Sequence, residues 1–229
     1  MPVPLVLVSD VIQTNPQYES DTQGDVAPRK DYVEIARQLQ ADLIGYNPAG
    51  QGWYRWARRL QRTFKLDLVE SLSAVRRAAG YSVILSTSEK VAIPMAALLN
   101  VTRQNVPHVV IGHKLSSILK NRLFRTWQLH HTFSQVVCVS RSQVDYTINR
   151  LGVSPEKVAF VHDKVDHHFF HPLPQVNDGF ILTVGKEQRD YRLLLRALSG
   201  TGIKLVVVAS IPWSTSQAKM NQADDNVTV

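Results

Sequence analysis

Continuous apolar runs of strand length recur along the chain, separated by stretches in which apolar residues fall at helical spacing. Residues 4–9, 41–46, 82–86, 107–111, 136–139 and 158–161 are the runs. Between them, Tyr32, Ile35, Ala36 and Leu39 mark one face of a helix, and Trp53, Trp56, Ala57, Leu60 and Phe64 mark a second. A helix is predicted over 92–99, and another from the stripe Leu115, Ile118, Leu119 and Trp127. Ser140 and Gln143 match a capping box ahead of Val144, Ile148 and Leu151, and Gly152 stands where that helix should stop. Residues 10–30 are polar without periodicity, and a loop of that length is more often functional or mobile than idle.

The pattern restarts after a crossing that contains Pro and His. Residues 180–184 read as a strand, 191–198 as a helix, 205–209 as a strand, and 226–229 as the start of another. Strands alternating with helices throughout predict an α/β protein whose parallel sheet is covered on both faces. The division expected is a first domain over 1–166, a linker over 167–179 and the beginning of a second domain over 180–229.

Composition narrows the partners. The 229 residues are 44% hydrophobic, enough for a substantial core, and carry a formal net charge of +7. A basic balance points toward polyanions: nucleotide phosphates, acidic lipid head groups or nucleic acid. Nucleic acid is disfavoured, because no recognition motif or stacking platform accompanies the charge. The single cysteine, Cys138, sits in an apolar run and reads as a buried thiol, so no disulfide forms within the chain. The start, MPVPLVLVSD, lacks the basic and small-residue flanks of a signal peptide and reads as a first strand. No run approaches the roughly 18 apolar residues of a membrane span. The expected location is cytoplasmic, with peripheral contact at the inner face of the membrane as an extension.

That extension rests on the stretch WYRWARRLQRTFK. Its apolar residues Trp53 and Trp56 face one way, while Arg58, Arg59 and Arg62 cover other sides, an arrangement suited to an anionic surface. Lys114, Lys120, Arg122 and Arg125 form a second basic cluster in the same half.

Other chemistries are disfavoured. The nearest Gly-x-Gly, Gly50 and Gly52, has Arg55 where a dinucleotide fingerprint needs glycine, and no GxxxxGK[ST] loop is present. No Asp-x-Asp pair is available to hold a cation on a diphosphate, so no metal is expected. His162, His167, His168 and His171 lack cysteine partners and HExxH spacing, so they read as structural or solvated.

The strand over 180–184 runs into Gly185, Lys186 and Arg189 ahead of a helix. A strand-to-helix turn is where open α/β sheets bind ligands, and cations there suit a phosphate. Further residues carry a resemblance to a known family: Val139-Ser140 at a strand end, a helix closing in Leu151-Gly152, Val165-Asp166, Phe170, Pro172, and Val184-Gly185 followed by a basic residue. In these the chain resembles family 4 glycosyltransferases of the GT-B class. The resemblance implies two Rossmann-like domains across a cleft, the first holding an acceptor and the second a nucleotide sugar. It implies that Lys186 and Arg189 grip the donor diphosphate and that His113 stands beside the transferring sugar, with Asp10 and Glu89 as acceptor-side candidates. It also implies transfer to an acceptor hydroxyl (on a glycan, a lipid-linked molecule or a small molecule) with retention, and no cofactor beyond the nucleotide-sugar substrate.

The chain departs from the family pattern. Only Gly24 stands in the loop where a Gly-Gly turn is usual, Lys164 replaces a glycine, and Lys186 replaces an arginine. The family's donor-binding glutamates lie beyond the second strand of the second domain, so a truncated form with little activity alone is expected. The alternatives are a non-catalytic relative, or a sugar-nucleotide epimerase of the same architecture, for which no catalytic carboxylates are assigned.

Overall fold

The computed structural model describes residues 2–12, 16–24, 26–46, 61, 63, 66–172, 179–184, 190–208 and 227–228. The chain forms two compact units, Met1–His171 and Pro172–Val229.

In the first unit, six strands form one wholly parallel sheet: β1 (Leu5–Val11), β2 (Asp42–Tyr46), β3 (Ile84–Ser86), β4 (His108–Gly112), β5 (Gln135–Cys138) and β6 (Val158–Phe160). Their spatial order is β2-β1-β3-β4-β5-β6. The described helices are α1 (Pro16–Gln23), α2 (Asp31–Leu39), α3 (Leu68–Val75), α4 (Glu89–Val101), α5 (Ile118–Thr126) and α6 (Arg141–Asn149). None is long and apolar enough to cross a membrane.

Strand β1 shows why both faces are covered. Its side chains alternate, so Leu5 and Leu7 pack with α3 and α4, while Val6 and Val8 pack with Tyr18 of α1 and Tyr32, Val33 and Ala36 of α2. A third cluster joins α4, α5 and the strands β4 and β5, with Phe124 and Phe133 stacked 5.6 Å apart and Cys138 fully buried.

Four local expectations change. The polar stretch 10–30 contains a helix, α1, anchored by one buried aromatic: the Tyr18 hydroxyl accepts the Lys30 N–H at 2.6 Å. Helix α3 was not predicted. In the stripe expected for α5, Ile118 is 90% exposed and Trp127 also faces solvent; Leu115 and Phe124 are the buried residues. The capping box is half formed: Ser140 Oγ accepts the Gln143 N–H, but the Gln143 side chain reaches another loop instead of returning to Ser140. The Trp53-to-Phe64 stripe lies outside the described residues.

In the second unit, β7 (Phe180–Val184), β8 (Lys204–Val208) and β9 (Val227–Thr228) form a parallel three-stranded sheet in that order. Helix α7 (Tyr191–Leu198) opens on Asp190, whose carboxylate caps the Leu193 N–H at 3.0 Å. It covers one face through Tyr191, Leu194, Leu195 and Leu198 against Leu205 and Val207.

Candidate functional site

Ligands of open α/β sheets bind beyond the carboxyl ends of the strands, where the strand order reverses. Here the reversal lies between β1 and β3, since β2 flanks β1 on one side and β3 on the other. The strand ends on that edge carry Ser9 and Asp10 on β1, Ser86 through Glu89 after β3, and His113 after β4.

His113 is placed by its neighbours. Gly112 closes β4, and a Cβ there would stand 2.6 Å from Leu115 Cδ1 and 2.9 Å from its Cγ, so glycine is what lets the buried Leu115 fold back. The Leu115 N–H donates to Gln143 Oε1 at 3.0 Å, and the His113 N–H donates to Glu89 Oε2 at 3.1 Å. The loop is tethered on both sides of Lys114, and the His113 side chain is exposed.

Glu89 begins α4 directly after its N-cap Ser88, whose side chain accepts the Lys90 N–H. Its side chain is 4% exposed, and Oε1 accepts a 2.6 Å hydrogen bond from Lys120 Nζ of α5, itself 12% exposed. Burial alone would push this carboxyl up. The Lys120 ammonium, its own N–H at the helix start and the His113 N–H outweigh burial and hold it below the usual carboxylate range. Glu89 therefore ties three elements together: α4, α5 and the His113 loop.

Sequence reasoning missed a second carboxylate on this edge. Pro94 lies inside α4 and has no N–H for the Lys90 carbonyl one turn back. The Asp67 N–H takes that carbonyl at 2.9 Å, and Ser71 Oγ lies 2.9 Å from Asp67 O and 3.1 Å from Val91 O. Asp67 is thereby seated against the first turn of α4, where its carboxylate accepts the Ser9 hydroxyl. Burial pushes its carboxyl up, opposed by the Ser9 hydrogen bond and by the charge of Lys90. Pro94 was the one legible signal for this seat. Nothing in the sequence marks Ser9, ties Gln143 to the Leu115 N–H or pairs Lys120 with Glu89.

Of the predicted site residues, the structure brings Glu89 and His113 together. Asp10 stands exposed at the same edge, where the register of β1 against β2 shifts between Leu7 and Val11, and its Oδ1 accepts the Val11 N–H at 2.8 Å. Lys186 and Arg189 lie outside the described residues, as do Trp53, Trp56, Arg58, Arg59 and Arg62. Among the described residues no group of three or more His, Cys, Asp or Glu side chains has the arrangement to hold a metal ion. His171 Nδ1 stands 2.8 Å from the His168 carbonyl, and the His167 and His168 rings are 4.1 Å apart.

Asp166, part of the Val-Asp pair singled out in the sequence, is clamped by Arg29. Its carboxylate accepts the Arg29 N–H at 2.9 Å, Nε at 3.0 Å and Nη2 at 2.6 Å, and the His168 N–H at 3.2 Å. The Arg29 guanidinium, aided by those backbone donors, holds this carboxyl well below the usual range. The clamp fastens the segment after β6 to the loop ahead of α2.

A family model, Glycosyltransferase Family 4, matches residues 52–169. Among solved structures, Anabaena HepE in complex with UDP and glucose is 13% identical, with a TM-score of 0.53 over 90% of this chain and 61% of that one. The same protein in complex with UDP gives a TM-score of 0.52 at 13% identity, over 91% of this chain and 61% of that one. The likeness is one of fold, of the GT-B type, and this chain spans about three fifths of the length of those structures. No curated protein sequence matches the chain.

Proposed function

The chain belongs to Glycosyltransferase Family 4, and from that membership we propose that it serves in moving a sugar from a nucleotide-sugar donor to an acceptor hydroxyl. The observation that carries this reading is the tethering of His113 at the carboxyl edge of the sheet by Glu89 on one side and Gln143 on the other. Fixed geometry at that edge is what a transfer reaction needs, because a small misplacement of the reacting groups is expensive in rate.

In the proposed reaction the acceptor oxygen forms a bond to the sugar carbon while the sugar–phosphate bond breaks. The acceptor's hydroxyl proton passes to the departing diphosphate oxygen, which leaves with the bonding pair. His113 donates or accepts a hydrogen bond at a sugar hydroxyl beside the reacting carbon. Lys186 and Arg189 neutralise the charge growing on the diphosphate. Glu89 acts through the His113 backbone, and Asp10 faces the acceptor side. Retention and independence of a metal belong to the same proposal, as does contact of Trp53, Trp56, Arg58, Arg59 and Arg62 with an anionic membrane surface when the acceptor is lipid-linked.

The test is a thermal-shift series on the purified chain with UDP, GDP, ADP and CDP, beginning with UDP because the Anabaena HepE structures hold it. The expected result is stabilisation by one diphosphate, lost in Lys186→Ala and Arg189→Ala and kept in His113→Ala. The His113 variant should instead lose release of nucleoside diphosphate from the matching nucleotide sugar. Absence of stabilisation by any diphosphate, or a shift unchanged in the Lys186 and Arg189 variants, overturns the donor assignment.

A further inference from the structure

A pocket lies at the opposite edge of the first sheet from His113. It has a volume of about 410 Å³, and Arg125, Gln128, His130, His131, Asn149 and Arg150 line it. These residues come from the end of α5, the turn that follows it and the end of α6, segments that lead into the amino ends of β5 and β6. His113 and Glu89 follow the carboxyl ends of β4 and β3, so the two places are on different edges of one parallel sheet.

The lining gathers cations and no carboxylate. Among the described residues, neither Arg125 nor Arg150 forms an ion pair, and neither histidine has an acidic partner. The His130 and His131 rings stand 3.9 Å apart. His130 Nδ1 is buried with no hydrogen-bond partner, while burial and the nearby charges of His131 and Lys157 push the imidazole toward its neutral form. Two helix C-termini meet here, and the attraction of a helix end for a cation accounts for one arginine on each. It does not account for the two imidazoles paired beside those arginines in one pocket lining.

We propose that this pocket binds a phosphate group. Two guanidinium forks can each meet phosphate oxygens in pairs, and the His130 and His131 rings lining the same pocket can add an N–H donor. The volume lies within the range of pockets that take small ligands, so the phosphate can carry an attached organic part. A free phosphorylated metabolite and a phospholipid head group share this chemistry.

The experiment titrates inorganic phosphate and then pyrophosphate into the full chain and follows the imidazole NMR signals of His130 and His131. A saturable shift of both is expected. It should weaken roughly tenfold or more in R125Q/R150Q, less in R125K/R150K, and not at all in K186A, which separates this pocket from the proposed donor site. Both arginine positions are exposed, so the variants should stay folded. Phosphatidylglycerol vesicles then identify the source. Binding that R125Q/R150Q loses and phosphate displaces identifies a head group, whereas a phosphate response without vesicle binding identifies a soluble ligand. No saturable shift, or the same affinity in R125Q/R150Q, overturns the proposal.

Discussion

Replacing Lys120 by methionine isolates what the buried pair with Glu89 contributes. Methionine keeps the apolar stem and removes the ammonium, leaving the carboxylate buried with its own N–H and that of His113 as partners. Exposed ion pairs contribute about 0–1 kcal/mol, but removing one partner of a buried pair costs about 3–5 kcal/mol. With the side chains 12% and 4% exposed, this pair is of the second kind, and the two remaining N–H donors put the loss near the lower end, about 3 kcal/mol. Glu89→Gln costs less, about 2 kcal/mol, because Lys120 keeps some access to water while the amide oxygen still accepts the His113 N–H. The double variant removes both charges together, so the double-mutant cycle should close with a coupling of about 2 kcal/mol.

Urea unfolding, read as the shift in midpoint at constant slope, supplies all four corners of that cycle. The pH dependence supplies the sign. A carboxyl held below its ordinary value of 4.5 contributes stability that is fully present above that pH and is lost as pH falls through the folded value. In Lys120→Met the cation is gone and burial dominates, so the carboxyl rises above its ordinary value and mild acid narrows the gap to wild type. A loss under about 1 kcal/mol, the range of an exposed pair, or an additive cycle, would refute the reasoning.

Gly112→Ala should drive Leu115 out of its seat and loosen the His113 loop, read as faster hydrogen exchange at the His113 and Leu115 amides. Gly45→Ala meets backbone instead, with its Cβ 2.8 Å from the Asp10 carbonyl, and should destabilise the β1–β2 pair by about 1–3 kcal/mol in urea unfolding. His108 is wholly buried, with Nε2 bonded to Ser86 Oγ, and burial pushes it down to about 3. Stability should therefore fall by about 1.4 kcal/mol per pH unit between about 6.5 and 3 on its account, and Ser86→Ala/His108→Leu should flatten that slope. Pro94→Ala restores an N–H that competes for the Lys90 carbonyl, so hydrogen exchange at the Asp67 amide should accelerate.

How far the sequence reached follows from what each residue answers to. The strand runs were legible because a parallel sheet buried on both faces demands continuous apolar stretches, and β1 through β6 fall within a few residues of the expected places. Helix α1 was not, since PQYESDTQ has no apolar stripe and its buried anchor among the described residues is Tyr18. Ile118 misled because its spacing fits a buried stripe, yet the helix turns that position outward; tertiary packing chose Leu115 and Phe124. At the candidate site, the resemblance pointed to His113 and the strand-end position to Glu89, and the fold joins these two by a hydrogen bond. The roles of Lys120, Gln143 and Asp67 could not be read, because each acts through a partner more than 20 residues away that only the fold identifies.

The strand order of the first sheet also bears on how the chain assembles. From β4 onward each new strand docks beside the one made just before it, so β4, β5 and β6 extend one growing margin in the order of synthesis. Parallel pairing is slow because every strand must wait for its crossover to close. From β4 onward each closure spans a single crossover, and β1 alone in this sheet keeps a side open, for β3, while β2 pairs on the other. The fold can then grow outward from the buried β1, with β2 as a fixed margin and one advancing margin on the other side for chaperones to cover.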